Sequence, residues 1–296
     1  MLKKFNWKFC KILLIFLMIA NLQLARASSK KVRLTYSPKK GSLSSYKTVV
    51  IAKADVTSIE GVDVVEGTFP QSITNATFIS DEKIEEVDKE GNITMAITFR
   101  EVDIQLKIGG STESISLPVN LEGKSLRFKM DKRGKIIEGA PELFAEELQE
   151  LNLNMDDIFK QYKPDFPDKK VGIGDSWDSE FTSQLPIEGQ LVSTSVKNIY
   201  SVSGFEKKRG YETIAIDMNM GFETTTNTLK KKDFMADVVM NGKGEGQFYY
   251  DYSNSRIIES DMNIDVDVKL VTQTFNQKRA MEMSQSIDLK TGLMEK

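Results

Sequence analysis

Hydrophobic and polar positions alternate along most of this chain, and a period of two predicts strands with one buried face. Ile214, Ile216, Met218, Met220 and Phe222 fall on one side, while Ala215, Asp217, Asn219, Gly221 and Glu223 fall on the other. Met262, Ile264, Val266, Val268 and Leu270 form a second apolar row, opposite Asp261, Asn263, Asp265, Asp267 and Lys269. Residues 94–108 alternate too, but the phase slips at Arg100-Glu101: Met95, Ile97 and Phe99 precede the slip, and Val102, Ile104, Leu106 and Ile108 follow it. One extra residue of this kind predicts a β-bulge that bends a long strand. Turns such as Asp131-Lys132-Arg133-Gly134 predict hairpins between neighbouring segments.

One segment changes period. From Pro141 to Tyr162, apolar residues Phe144, Leu148, Leu151, Met155, Ile158 and Tyr162 recur at three- and four-residue steps. Pro141 suits a first helical turn and Glu142 the positive end of a helix. Asn152 to Asn154 interrupts the pattern, with Asn154 placed to cap a second short helix. The expectation is an amphipathic helical hairpin whose apolar stripe lies on the apolar side of a sheet, followed by the proline-bearing stretch KPDFPDKK.

The two halves of the chain resemble each other. Lys89-Glu90-Gly91 leads into NITMAITF, and Lys208-Arg209-Gly210 leads into YETIAIDM, so that Ala96-Ile97 falls on Ala215-Ile216. Further on, FKMDKRGKIIE from Phe128 matches FYYDYSNSRIIE from Phe248, with one extra residue in the later turn. The expected fold is mainly β with a small helical insertion: an internally duplicated, strongly curved antiparallel sheet, or two fused sheets. The expected organisation is a signal peptide at 1–27, a first β repeat at 28–139, the helical hairpin and linker at 140–165, and a second β repeat at 166–296.

Composition narrows the chemistry. Lys3, Lys4, Lys8 and Lys11 precede the apolar run Ile12 to Ala20, and Ala25-Arg26-Ala27 offers a small-x-small cleavage site. That run is shorter than the roughly 20 residues needed to cross a bilayer. The only cysteine, Cys10, lies upstream of it with no lipobox before it. The expectation is therefore an exported protein, periplasmic or extracellular, with no lipid anchor and no transmembrane span once processed. Removing Lys3, Lys4, Lys8, Lys11 and Arg26 takes the 40 basic residues to 35 against 43 acidic ones, so net charge moves from −3 to −8. An acidic surface disfavours nucleic acid and anionic lipid as electrostatic partners. The run Lys230-Lys231-Lys232 reads as a solvated turn. With no histidine anywhere and no cysteine after processing, disulfides, thiolate nucleophiles, ordinary zinc sites and histidine triads drop out, and no cofactor or metal is expected.

Three motifs invite enzymatic readings and do not sustain them. Gly242, Gly244 and Gly246 in NGKGEGQFYYD lead into FYYDY, not a helix, so they read as a strand row continued by Phe248 and Tyr250 rather than a phosphate loop. Ser44-Ser45-Tyr46-Lys47 and Lys290-Thr291-Gly292 echo penicillin-recognising enzymes, but the serine and lysine would lie on opposite faces of a strand. Asp261-x-Asn263-x-Asp265-x-Asp267 lacks the glycine and distal glutamate of a calcium loop and reads as a solvated strand face.

The stretch FPDKKVGIGDSW, Phe166 to Trp177, predicts a proline-bounded strand, a Gly-Asp turn and an aromatic anchor at Trp177, with a partial echo in SPKKGSLSSY around Gly41 and Tyr46. Together with Tyr36, Pro38 and Gly41 and the strand Gly246 to Asp251, it resembles an uncharacterised family of exported bacterial β-rich proteins that share an FP…VGxGDSW signature. The resemblance brings no activity and no catalytic residues. A curved antiparallel sheet carrying helices is more distantly similar in architecture to periplasmic lipoprotein carriers, an analogy of fold and not of function. The function expected is non-enzymatic: an envelope protein that binds an apolar, lipid-like ligand on its curved sheet, with Phe144, Leu148, Met218, Met220, Phe222, Phe248 and Tyr250 as the binding residues. Methionine-rich faces suit varied apolar shapes. The competing expectation is a structural or protein–protein interaction module of the envelope, with a filled core and no ligand. A hydrolase is the weakest of the three.

Overall fold

The computed structural model describes residues 30–60, 62–63, 71–109, 115–116, 121–138, 163–187, 190–224, 227–231, 234–274 and 277–295. The signal peptide expected at 1–27 and the helical hairpin expected within 141–162, including Phe144 and Leu148, lie outside them. Among the described residues every regular element is a strand. In chain order these are β1 (Val32–Arg33), β2 (Leu43–Ile59), β3 (Val62–Asp63), β4 (Ser72–Val87), β5 (Ile93–Ile108), β6 (Ile115–Ser116), β7 (Ser125–Met130) and β8 (Ile136–Glu138). The second half adds β9 (Lys170–Val171), β10 (Ser176–Ile187), β11 (Gln190–Lys208), β12 (Tyr211–Thr224), β13 (Asn227–Lys231), β14 (Phe234–Asp251), β15 (Arg256–Thr274) and β16 (Gln277–Leu293).

Fourteen of these strands form one antiparallel sheet, ordered β10-β11-β12-β14-β15-β16-β2-β4-β5-β7-β8, with β13, β3 and β6 as short additions to β14, β2 and β5. The halves therefore make one sheet, not two. The last strand, β16, joins them by pairing with β15 on one side and β2 on the other. The sheet bends until its two ends share a core. Ile84, Met95, Ile97, Phe128 and Met130 from one end cluster with Tyr200, Ile214, Met218, Phe248 and Tyr250 from the other.

Local sequence explains the bend. Arg100 is the extra residue at the predicted phase slip, since Ile79 faces Glu101 while Ser80 faces Phe99, and the bulge keeps both halves of β5 facing inward. Gly242, Gly244 and Gly246 lie within β14 as a bare inward row. The space above them is taken by side chains of the flanking strands and not by a second layer. A Cβ on Gly242 would fall into the Phe222 ring, and one on Gly246 would sit 2.7 Å from both Met262 Cγ and the Asp261 carbonyl. Glycine is required here by close approach, because larger residues on β12 and β15 lean across the row.

Two connecting segments seal one end. Leu34 and Tyr36, just after β1, and Phe166, just before β9, are buried there with Val171, while β1 and β9 pair with each other. The Tyr36 and Phe166 rings stack at 4.7 Å, and Phe166 meets Tyr250 edge-on at 4.7 Å. Backbone amides of Tyr36 and Phe166 donate to the carbonyls of Lys132 (2.8 Å) and Arg133 (2.9 Å) in the β7–β8 turn. Tyr250 Oη donates to the Thr35 carbonyl at 2.8 Å. Trp177 is the anchor its position suggested: Nε1 donates to the Asp165 carbonyl at 2.7 Å, and the indole stacks on Tyr200 at 5.3 Å.

The segments matched between the halves occupy matching places. Asp131 Oδ1 accepts amides of Arg133 and Lys135 in the β7–β8 turn, and Asp251 Oδ1 accepts those of Ser253 and Asn254 in the β14–β15 turn. Beyond each turn a bulge follows at the same step, at Ile137 in one half and Ile258 in the other. Ahead of β2, Gly41 donates to the Ile84 carbonyl and Ile84 donates to Ser42; ahead of β10, Gly174 and Asp175 make the same pair of bonds with Val202. One difference stands out. The β12–β14 register is displaced by two residues relative to β5–β7, and a shift of two leaves every side chain on its original face.

Candidate functional site

The inner face of the sheet divides along the strands. Near the sealed end it is packed. Met218, Met220, Phe248 and Tyr250, four of the residues expected to bind ligand, are at most 5% exposed within the main cluster, and Phe222 is half-buried against it. These side chains are brought together as expected, but as the floor of the concavity. Burial and Asp251 push the Tyr250 hydroxyl far above its ordinary range, so it stays a donor to Thr35.

Further along, the inward rows of β15 and β16 become half-buried, while on β11 and β14 the inward Val192, Ala236 and Val238 pack into a second, smaller core. Val266, Val268 and Leu270 on β15 continue the row begun by Met262 and Ile264. Their partners on β16 are Gln285, Met283 and Met281, and beyond these Ala54 and Val56 of β2 face inward in turn. The inward positions of β2 and β4 over this stretch are small, Ala52, Ala54, Ser72, Thr74 and Ala76, with Val50 and Phe78 nearer the packed end, whereas β10 and β12 carry Trp177, Phe181 and Phe222. Strands of 16 to 19 residues make this possible. At about 3.3 Å per residue they reach well past the packed end.

The outward rows of β15 and β16 are charged or polar, while those of β2 and β4 mix Val49, Ile51, Ile73 and Ile79 with charged residues. Asp261, Asp265, Asp267 and Lys269 are exposed on β15, with Lys290 paired to Asp261 at 3.1 Å and Glu282 to Lys269 at 2.6 Å on β16. The Asp-x-Asn-x-Asp-x-Asp stretch is thus a solvated face, and Asn263 Nδ2 donates to Asp288 across it. On these two strands the outward side chains differ from the apolar outward band of a membrane-spanning barrel. Among the described residues no helix is long and apolar enough to cross a membrane, and no group of three or more carboxylate, histidine or cysteine residues is placed to hold a metal. Ser44 and Lys47 lie three apart on β2 and so face opposite sides. Ser45 instead donates to Asp81 at 2.6 Å.

A second feature lies at the sealed end, and the alternation of β4 could have disclosed it. Glu82 occupies an inward position between Ser80 and Ile84, where the pattern calls for an apolar residue. It is 6% exposed and pairs with Lys163, 9% exposed, at 2.9 Å. The pair lines a cleft of about 200 Å³ with Tyr36, Tyr46 and Arg256. Tyr46 Oη donates to the Ile257 carbonyl at 3.1 Å, and burial, then the Glu82 charge, raise its pKa well above normal while Arg256 opposes the rise.

Comparison with known proteins adds little. No family model matches the chain, and no curated protein matches it. Among solved structures it is similar to the crystal structure of OccK11 (OpdR) from Pseudomonas aeruginosa, with 5% identity over 88% of this chain and 99% of that one, at a TM-score of 0.19. An identity and a score this low speak to neither fold nor activity.

Proposed function

We propose that this chain is an exported, non-enzymatic envelope protein, one of the β-rich family with the FP…VGxGDSW signature, that binds an apolar, lipid-like molecule on the inner face of its sheet. The observation that carries the reading is that the largely apolar inward rows of β15, β16 and β2 go from packed to half-buried along the strands. Soluble proteins rarely leave a contiguous apolar surface half-open unless something covers it. Met220 and Phe222 form the floor; Val56, Val268 and Met283 form the rim. The matched turns, bulges and bridging bonds of the two halves support an internal duplication as the origin of so wide a sheet. The packed lower half favours the competing reading, a structural or interaction module of the envelope with a filled core.

A fluorescent fatty-acyl probe separates the two. Binding that saturates near one probe per chain, and falls at least tenfold when Ala54→Trp fills the small-residue wall, supports the ligand reading. No saturable binding by a folded protein overturns it.

A further inference from the structure

We infer that the cleft at the sealed end is a second, polar binding site, for a small hydroxyl-bearing organic anion of the sugar-acid class. Two of its lining side chains carry a buried polar atom that finds no hydrogen-bond partner among the described residues: Glu82 Oε1 and Arg256 Nε. Buried polar atoms in folded proteins are otherwise paired, and leaving one unpaired costs about 1–3 kcal/mol. Glu82 uses its other oxygen on Lys163, and the nearest carboxylate oxygen to Arg256 Nε is Asp251 Oδ2 at 3.6 Å, beyond hydrogen-bond reach. That Asp251 oxygen already accepts from Asn254 at 2.7 Å.

The two atoms ask for complementary groups. Glu82 Oε1 needs a donor, and Arg256 Nε needs an acceptor. Glu82 and Arg256 line the same cleft, and Tyr46 lines it with them. The cleft carries Lys39, Lys163 and Arg256 against the single carboxylate Glu82, and its balance stays positive with Asp251 counted. A cationic ligand is therefore disfavoured. An anion with a hydroxyl meets every requirement: its carboxylate accepts from Arg256, and its hydroxyl donates to Glu82. The volume of about 200 Å³ suits a molecule of monosaccharide size, and the Tyr36 and Tyr46 side chains with Met95 and Met130 offer apolar walls for a sugar ring. This site lies at the sealed end, apart from the half-buried rows further along the inner face, and neither proposal depends on the other.

Glucuronate, glucose and acetate, titrated separately into the purified full chain by calorimetry, test the inference. Glucuronate should bind with 1:1 stoichiometry, at least tenfold tighter than either glucose, which lacks the anion, or acetate, which lacks the hydroxyls. Arg256→Met should weaken glucuronate at least tenfold, and Arg256→Lys by less. Because Glu82→Gln removes the carboxylate charge that Lys163 pairs with, the double variant Glu82→Gln/Lys163→Met serves as the folded control and should also lose the preference for glucuronate over acetate. No glucuronate binding, equal binding of acetate, or undiminished binding by Arg256→Met overturns the assignment.

Discussion

Removing the Phe166 ring tests whether the connecting segments hold the bent sheet closed. Phe166 is fully buried, stacked on Tyr36 and edge-on to Tyr250, and so links the junction of the two halves to the first and the second. Phe166→Ala leaves its backbone bond to Arg133 intact and deletes only the ring. Loss of a buried phenylalanine costs about 3–5 kcal/mol, of which the two ring contacts supply roughly 0.5–1.5 each. A value near 4 kcal/mol is expected, a quarter or more of the roughly 5–15 kcal/mol that stabilises most folded domains. At a urea dependence of roughly 3 kcal/mol/M the unfolding midpoint should fall by more than 1 M. Phe166→Leu, which keeps most of the volume, should cost roughly 1.5 kcal/mol or less. A loss below about 1 kcal/mol for Phe166→Ala, with an unchanged slope, would refute the view that this end is a packed seal.

Other substitutions probe separate parts of the account. Gly242→Val should destabilise by roughly 1–3 kcal/mol in urea titrations because the new side chain overlaps Phe222, whereas Gly221→Ala, with nothing within 4 Å of its added carbon, should stay within about 0.5 kcal/mol of the parent. Lys163→Met strands the Glu82 carboxylate and should cost about 3–5 kcal/mol, while Glu82→Gln/Lys163→Met should recover a large part of that loss. Burial, only partly offset by Arg133, raises the Asp165 pKa. A raised carboxylate favours folding most when protonated, so its contribution is complete below the unfolded value near 3.9 and is lost as pH rises through the folded value. Asp165→Asn should therefore gain on the parent between pH 4 and pH 7 in thermal melts, and a gain that is the same at both would contradict this.

Much of the fold was legible because alternation is written residue by residue. The rows of β12 and β15 read straight from the sequence, and so did the Arg100 bulge, since one extra residue shifts the phase visibly. The glycine row was legible as strand because no helix follows it. Its cause was not, because the ring over Gly242 belongs to Phe222 on a neighbouring strand and register is not encoded locally. The same limit hid the order of the sheet: nothing near the C-terminus announces that β16 pairs with β2 about 240 residues earlier in the chain. Candidate residues were chosen for being apolar and inward, and that rule found the floor of the concavity. It passed over Glu82, whose charge at an inward position was the signal. It could not reach Lys163 and Arg256, which are brought to Glu82 by the folding of distant segments.

Native mass spectrometry of the protein, purified from its own envelope without detergent, tests the central claim most directly. The account expects an adduct of lipid mass on the folded parent, absent from Ala54→Trp and recoverable by organic extraction. A bare polypeptide mass for both proteins, with nothing extractable from either, would contradict it.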